Sequence, residues 1–366
     1  MPVRVAHTAK VTVDSAAADL HHQLGDAANS LVIYFASSSY PQGELAAALH
    51  GVLGATHTLG CSTSGEIITG ALKKRSVVAM ALSAEDSGPV AVKMVKDLHD
   101  RAALERALAS LGDQLGTPLR DVDPATHAGI VLMDGLSRGE ERFLDALGDL
   151  TDLPFVGGSA GDDLDFVQTW VTLDGRATTG GAVLAVFQPP RGFEIIKTQS
   201  FVQSGARLVP TKVDEEQRVV LEFDGKPAAD AYAAAIGSSP AELSTKWISH
   251  PLGLMAGNEP FVRSPQQVTD AGVAFYCAMK EGTPLSVLTS TDIVADTRRV
   301  LDTALQRPAS GLINFNCILR TLDLEARGQH DAYGKVFNGV PTVGFSTYGE
   351  AYVGHVNQTA TMLLLR

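Results

Sequence analysis

The sequence predicts an α/β protein of two domains with mixed sheets, built from pseudo-repeated strand-helix-strand units, and three observations support this. The pattern G-x-S-T-x-G-E occurs twice, as Gly60-Cys61-Ser62-Thr63-Ser64-Gly65-Glu66 and as Gly344-Phe345-Ser346-Thr347-Tyr348-Gly349-Glu350. A shortened copy, Gly157-Gly158-Ser159-Ala160-Gly161-Asp162, stands between them. Each copy closes a segment in which a short apolar run, a helical pattern and a second apolar run follow one another. A shared context is harder to reach by chance than a shared heptapeptide, so the pattern marks an internal structural repeat. Short apolar runs alternating with helical periods favour parallel pairing inside each unit.

Taken in order, residues 1–30 hold scattered Ala and Asp and the pair His21-His22, and read as a surface lead-in. The first unit is strand 31–35, helix 43–53 and strand 57–61. Residues 77–83 and 90–95 are β-branched runs about the turn Glu85-Asp86-Ser87-Gly88-Pro89, a hairpin signal. Leu104, Leu108, Leu111 and Leu115 share one face of a helix that stops at Gly116-Thr117-Pro118. The second unit is strand 129–133, helix 138–150 with Ser137 and Glu140 spaced as a capping box, and strand 154–157. Residues 166–173 and 180–187 read as strands around an Asp174-Gly175 turn. Gln188-Pro189-Pro190-Arg191-Gly192 breaks every period and adds two residues without an N–H, which divides the chain into domains 1–190 and 191–366. Beyond it come alternating runs 194–202 and 207–222, the turn Asp224-Gly225-Lys226-Pro227, and an Ala-rich helix ending near Gly237. A β-rich stretch 246–290, a helix at 296–305 and a third unit (strand 311–316, helical 317–337, strand 341–345) complete the chain.

Bulk properties narrow the function. At 366 residues, 45% hydrophobic and 19% charged, the chain is an ordinary globule with a sizeable core. Lys plus Arg total 29 against 41 acidic residues, and the net charge of −12 argues against nucleic-acid and anionic-membrane partners. No signal-peptide pattern opens residues 1–18, and no apolar run reaches membrane-span length. Cys61, Cys277 and Cys317 form no C-x-x-C pair, which suits a reducing, cytoplasmic setting.

The repeated motifs resemble the FIST family, sensory domains of prokaryotic signalling proteins with an N-terminal and a C-terminal part. Residues 60–66 and 157–163 look like the N-terminal part, and 220–228, 344–350 and Asn357-Gln358-Thr359 like the C-terminal part. Within the family, Ser249-His250-Pro251-Leu252, Phe261-Val262-Arg263-Ser264, residues 275–282 and Cys317-Ile318-Leu319-Arg320 resemble the haem-binding, nitric-oxide-sensing branch called NosP. That resemblance implies haem b, with His250 as the axial ligand of its iron. Trp247, Leu252, Phe261 and Phe275 would be apolar walls, and Arg263 and Arg320 would face the propionates. It also implies a regulated histidine kinase or cyclic-di-GMP enzyme as partner, and a homodimer stays open. Other members are thought to bind amino acids or similar small ligands, so the alternative is a haem-free module with Arg263 or Arg320 facing a carboxylate.

Within the residues themselves, Pro251 holds His250 extended, away from the local backbone, with His57 and His355 as competitors. No C-x-x-C-H exists for covalent haem attachment. An enzyme is disfavoured, because the G-x-S-x-G elbow, the phosphate loop and H-E-x-x-H are all missing. A hydrolase would have to use Ser62 or Ser346 beside Glu66 or Glu350, and neither serine has an obvious histidine base in the sequence. A motif that recurs in symmetric places is more often what the fold needs, with glycine supplying geometry and hydroxyls capping turns.

Overall fold

The computed structural model describes residues 3–26 and 28–366. It divides into two compact units, one of Met1–Thr198, Thr297–His355 and Ala360–Arg366, the other of Gln199–Asp296 with Val356–Thr359.

The first unit holds three six-stranded sheets with one strand order. In the first, Arg4–Thr8, Val77–Leu82, Asn29–Ser37 and Ala55–Thr63 lie side by side. In the second the sequence is Val90–Val95, Ala182–Phe187, Ala128–Met133 and Phe155–Ser159, and in the third Phe193–Gln199, Thr359–Leu365, Gly311–Cys317 and Thr342–Thr347. The two strands of each unit are parallel, as the alternation predicts. Each sheet is completed by a hairpin from a different repeat. Glu66–Ile68 and Ala71–Lys73 join the third sheet, Val171–Leu173 and Arg176–Thr178 the first, and Glu350–Tyr352 and His355–Val356 the second. The exchange closes a ring, and the repeated motif stands at each crossing.

The first glycine of the motif is explained by strand approach. A Cβ on Gly60 would lie 2.4 Å from the Tyr34 carbonyl oxygen, on Gly157 1.7 Å from that of Val131, and on Gly344 2.1 Å from that of Asn314. One face of every sheet feeds a common core, with Ile33 and Phe35 from the first, Ile130 and Leu132 from the second, and Phe315 and Phe345 from the third. Phe35 lies 4.6 Å from Phe345 and 6.1 Å from Phe315, centroid to centroid. The opposite faces are covered by helices, including Val13–Leu24 and Gln42–Val52 on the first sheet and Arg101–Leu115 and Glu140–Leu150 on the second.

Several local expectations change. Residues 3–24 are not a lead-in, because Arg4–Thr8 is the edge of the first sheet and Ala16, Ala17, Leu20 and Leu24 of the following helix are buried. Val77–Leu82 and Val90–Val95 do not pair, since a helical turn, Ala84–Ser87, sends them to different sheets. The Asp174-Gly175 turn exists, but it joins Val171–Leu173 to Arg176–Thr178 rather than to Ala182–Phe187. Ser137 does not cap its helix, which begins at Glu140 behind Gly139 after Arg138 turns left-handed at φ 56°. The third unit's helical segment breaks at Gly328, φ 66°.

The division at residues 188–192 is not where the compact units part. Phe193–Gln199 enters the third sheet beside Thr359–Leu365, so the chain beyond the double proline still belongs to the first unit. The second unit is an insertion between the first strand of the third repeat and the rest of it.

That second unit has a four-stranded sheet, Phe201–Leu208, Leu285–Ser290, Leu252–Ala256 and Glu259–Arg263, and a second sheet built on Pro210–Asp214, Val219–Phe223, Val273–Phe275 and Pro265–Val268. Helix Ala228–Ala235 packs Tyr232 into a core with Phe223, Trp247, Leu252 and Phe275.

Candidate functional site

The insertion has no counterpart in the first two repeats, and its geometry starts at a helix end. Helix Leu243–Lys246 is followed by Trp247 and then by His250, whose N–H donates to the Lys246 carbonyl at 2.9 Å. Pro251 disfavours a helical conformation for His250, and the chain leaves as strand Leu252–Ala256. The His250 carbonyl accepts from the buried Tyr232 hydroxyl at 2.6 Å. Burial pushes that phenol far above its ordinary range, so it stays a donor. His250 Nδ1 lies 2.9 Å from Ser249 Oγ and 3.3 Å from the Lys246 carbonyl oxygen. A ring held at Nδ1 keeps Nε2 for another partner. Gln358 donates to the neighbouring Ile248 carbonyl at 2.7 Å and accepts from Ser264 Oγ at 2.8 Å.

The ribbon of Leu252–Ala256 and Glu259–Arg263 pairs Leu252 with Arg263 and Leu254 with Phe261, which puts all four on one face. Leu254 and Arg263, with Met279, Lys280 and Leu285, line a cleft of about 200 Å³ whose walls include two cations and no acid. Arg263 Nη1 reaches only its neighbour's carbonyl, Val262, at 3.4 Å. Among the described residues no carboxylate pairs with Arg263 or Lys280.

The structure thus gathers His250, Trp247, Leu252, Phe261, Arg263 and Phe275 in the second unit and leaves Arg320 in the first. Trp247, Leu252 and Phe275 are 8%, 0% and 2% exposed and are packed in the core. They support the site from behind and do not wall an open pocket. Arg320 is buried on helix Ile318–Ala326, bonded to Asn316, Thr297 and Thr198.

The repeated motif is structural wherever its bonds are seen. Glu66 accepts from the Thr63 hydroxyl and from the N–H and hydroxyl of Ser76, and burial lifts its carboxyl to about 7. Glu350 accepts from Thr347 in the same way, and Asp162 accepts from the N–H groups of Phe166, Val167 and Gln168. Ser62 Oγ accepts from the Trp170 N–H, and Ser346 Oγ shares a hydrogen bond with Thr321, neither of them a histidine. Cys61, Cys277 and Cys317 are all buried. Among the described residues no cluster of three His, Cys, Asp or Glu is placed to hold a metal ion, and no helix is long and apolar enough to cross a membrane.

Lys280 stands in the segment 275–282 already singled out by the resemblance, whereas sequence reasoning overlooked Tyr232 and Gln358 as supports of the His250 turn. No local pattern marks Tyr232 and Gln358 in that role, because each acts through a partner at least 18 residues away.

Comparison with known proteins gives the family. The FIST N domain matches residues 30–226, more than half of the chain, and the FIST C domain matches residues 228–352. A Methanocaldococcus jannaschii protein, described as uncharacterized, is 26% identical over 265 residues, 67% of this chain and 50% of that protein. The chain therefore spans about half the length of this curated relative. FIST domains are sensory modules of signal transduction rather than catalysts. With both parts matched in order, the chain belongs to the FIST family.

Proposed function

We propose that this chain is the receptor part of a signalling system and binds a small carboxylate-bearing metabolite, such as an amino acid, in the cleft at Arg263. The observation behind this reading is the pair of cations, Arg263 and Lys280, above the apolar floor of Leu254, Met279 and Leu285, with no acid in the lining. Guanidinium and carboxylate meet in a forked, charge-assisted geometry, and the apolar floor suits a short side chain. A volume of about 200 Å³ is below the range for drug-sized ligands and matches something the size of an amino acid. Occupancy would be passed to a histidine kinase or a cyclic-di-GMP enzyme.

A second reading, haem b sensing nitric oxide, is supported by one feature, the Nδ1 tether of His250 that leaves Nε2 free to ligate iron. Bound haem would supply the iron on which nitric oxide is captured. Against it stand the packed Trp247, Leu252 and Phe275, the burial of Arg320 among Asn316, Thr297 and Thr198, and a cleft too small for a porphyrin. The residues do not fit a haem pocket as a set, and the metabolite reading is preferred.

Thermal unfolding of the full chain against a panel of amino acids and dicarboxylates tests the first reading. A ligand that binds only the folded state raises the midpoint by a few degrees, and Arg263→Met should abolish that rise. A Soret band formed on haem addition and lost in His250→Ala would transfer support to haem. Neither a shift nor a band would remove both.

A further inference from the structure

Arg320 plays no part in the cleft, and its surroundings differ from those of the equivalent positions in the other repeats. Asn29–Ser37, Ala128–Met133 and Gly311–Cys317 occupy the same place in the three sheets. Register sets Tyr34 opposite Gly60, Val131 opposite Gly157 and Asn314 opposite Gly344. Two residues on, Ala36, Met133 and Asn316 face Ser62, Ser159 and Ser346. In the first two sheets this face meets its helices through Tyr34 and Ala36, and through Val131 and Met133. The third presents two asparagines, each 0% exposed. An architecture that fills the position with these packed side chains twice does not require a polar pair the third time.

The polar groups gathered there are short of partners. Asn316 Oδ1 accepts from Arg320 Nε at 3.0 Å and from the Tyr333 hydroxyl at 2.8 Å. Arg320 Nη2 donates to Thr297 at 3.0 Å and Thr198 at 3.4 Å, and the guanidinium lies 5.8 Å from the Tyr333 ring centroid. Nη1 is buried and donates to nothing, and both amide atoms of Asn314 are buried without a partner. Every hydrogen-bond partner of Arg320 is neutral. Among the described residues no acid pairs with this permanently charged side chain, which is only 2% exposed, a costly state for a buried group. Arg320 is the third residue of its helix, whose N-cap Cys317 makes no side-chain cap bond, so the positive helix end adds to the same field. The place is also the carboxyl end of two parallel strands, where open α/β sheets bind their ligands.

We propose that this helix-facing side of the third sheet is a second binding site, separate from the cleft, for a compact carboxylate whose oxygen accepts from Arg320 Nη1. Asn314, on the same face of the strand, offers a donor and an acceptor to the remainder of the ligand. One uncommitted guanidinium nitrogen and one carboxamide match a singly charged group, whereas a phosphate dianion would find a single cation.

The test is thermal unfolding of the exhaustively dialysed full chain in sodium acetate and in sodium chloride of equal ionic strength. The midpoint should stand about 3 °C higher in acetate, fall to the chloride value in Arg320→Met, and keep its rise in Arg120→Met, a change of an exposed arginine. Equal midpoints in the two salts would overturn the proposal. So would a rise that survives Arg320→Met, or one lost in Arg263→Met, which would assign acetate to the cleft. If Arg320→Met does not fold, Arg320→Lys keeps the charge but withdraws Nη1 and should need at least tenfold more acetate for the same effect. An unchanged acetate requirement there also counts against the site.

Discussion

Glu66 shows how a conspicuous residue can be structural and still leave a measurable mark. It is 1% exposed, its bonds come from Thr63 and Ser76, and burial raises its carboxyl from 4.5 to about 7. The unfolded chain loses this proton first as pH rises, so between about 4.5 and 7 the folded state holds more protons. Glu66 therefore contributes a loss of stability with rising pH across that window, at most about 3 kcal/mol. Urea unfolding of the wild type and Glu66→Gln from pH 4 to 8 should show the two curves separating through this window. A difference that stays constant with pH would show that Glu66 does not titrate as its burial requires. At this scale the sequence was informative about chemistry and silent about partners. The role of the Thr63 hydroxyl could be anticipated as turn capping, but which side chains surround Arg263, Lys280 and Arg320 depends on the segments that pack around them. Arg320 was expected to face a propionate or carboxylate together with Arg263, and the cleft at Arg263 is lined without it.

Among the elements, the parallel pairs were readable because a buried strand shows as a continuous apolar run and each pair is linked by a helix with its own period. Their glycines were readable as backbone requirements, and this has opposite consequences at two positions. Gly157→Ala would place a methyl 1.7 Å from the Val131 carbonyl oxygen and force the second sheet's parallel strands apart, for a loss of about 3 kcal/mol or more. Gly148→Ala, inside helix Glu140–Leu150 with nothing within 4 Å of the added carbon, should gain up to about 1 kcal/mol. Urea midpoints that move in the same direction for both would contradict this account. Hairpins were the elements misread. Val77–Leu82 and Val90–Val95 look like adjacent strands because turn residues separate them, yet turn chemistry dictates a reversal of the chain and not which sheet receives the next strand.

For the whole molecule, the exchanged hairpins make the first unit indivisible at the double proline. A fragment of residues 1–190 would leave Glu66–Ile68 and Ala71–Lys73 without their sheet and Phe155–Ser159 without Glu350–Tyr352, and would remove Phe315, Phe345 and Leu363 from the common core. Such a fragment should lack a cooperative unfolding transition by near-ultraviolet circular dichroism, whereas a sharp transition would show that the first two repeats fold without the third.

The three repeats, their parallel pairs and membership of the FIST family follow from residues close together in the chain. Glycine spacing, apolar period and motif order are local properties that any placement of the units must respect. Which hairpin completes which sheet, that the second unit is an insertion within the third repeat, and that Arg320 lies buried with Nη1 unbonded were decided only in the folded chain. The cause is the same in each case: strand partnership and charge compensation join residues far apart in sequence, and no local pattern encodes the partner. The motif G-x-S-T-x-G-E spans both levels, visible as a repeat in the chain and intelligible as a crossing point only when the ring of sheets is closed.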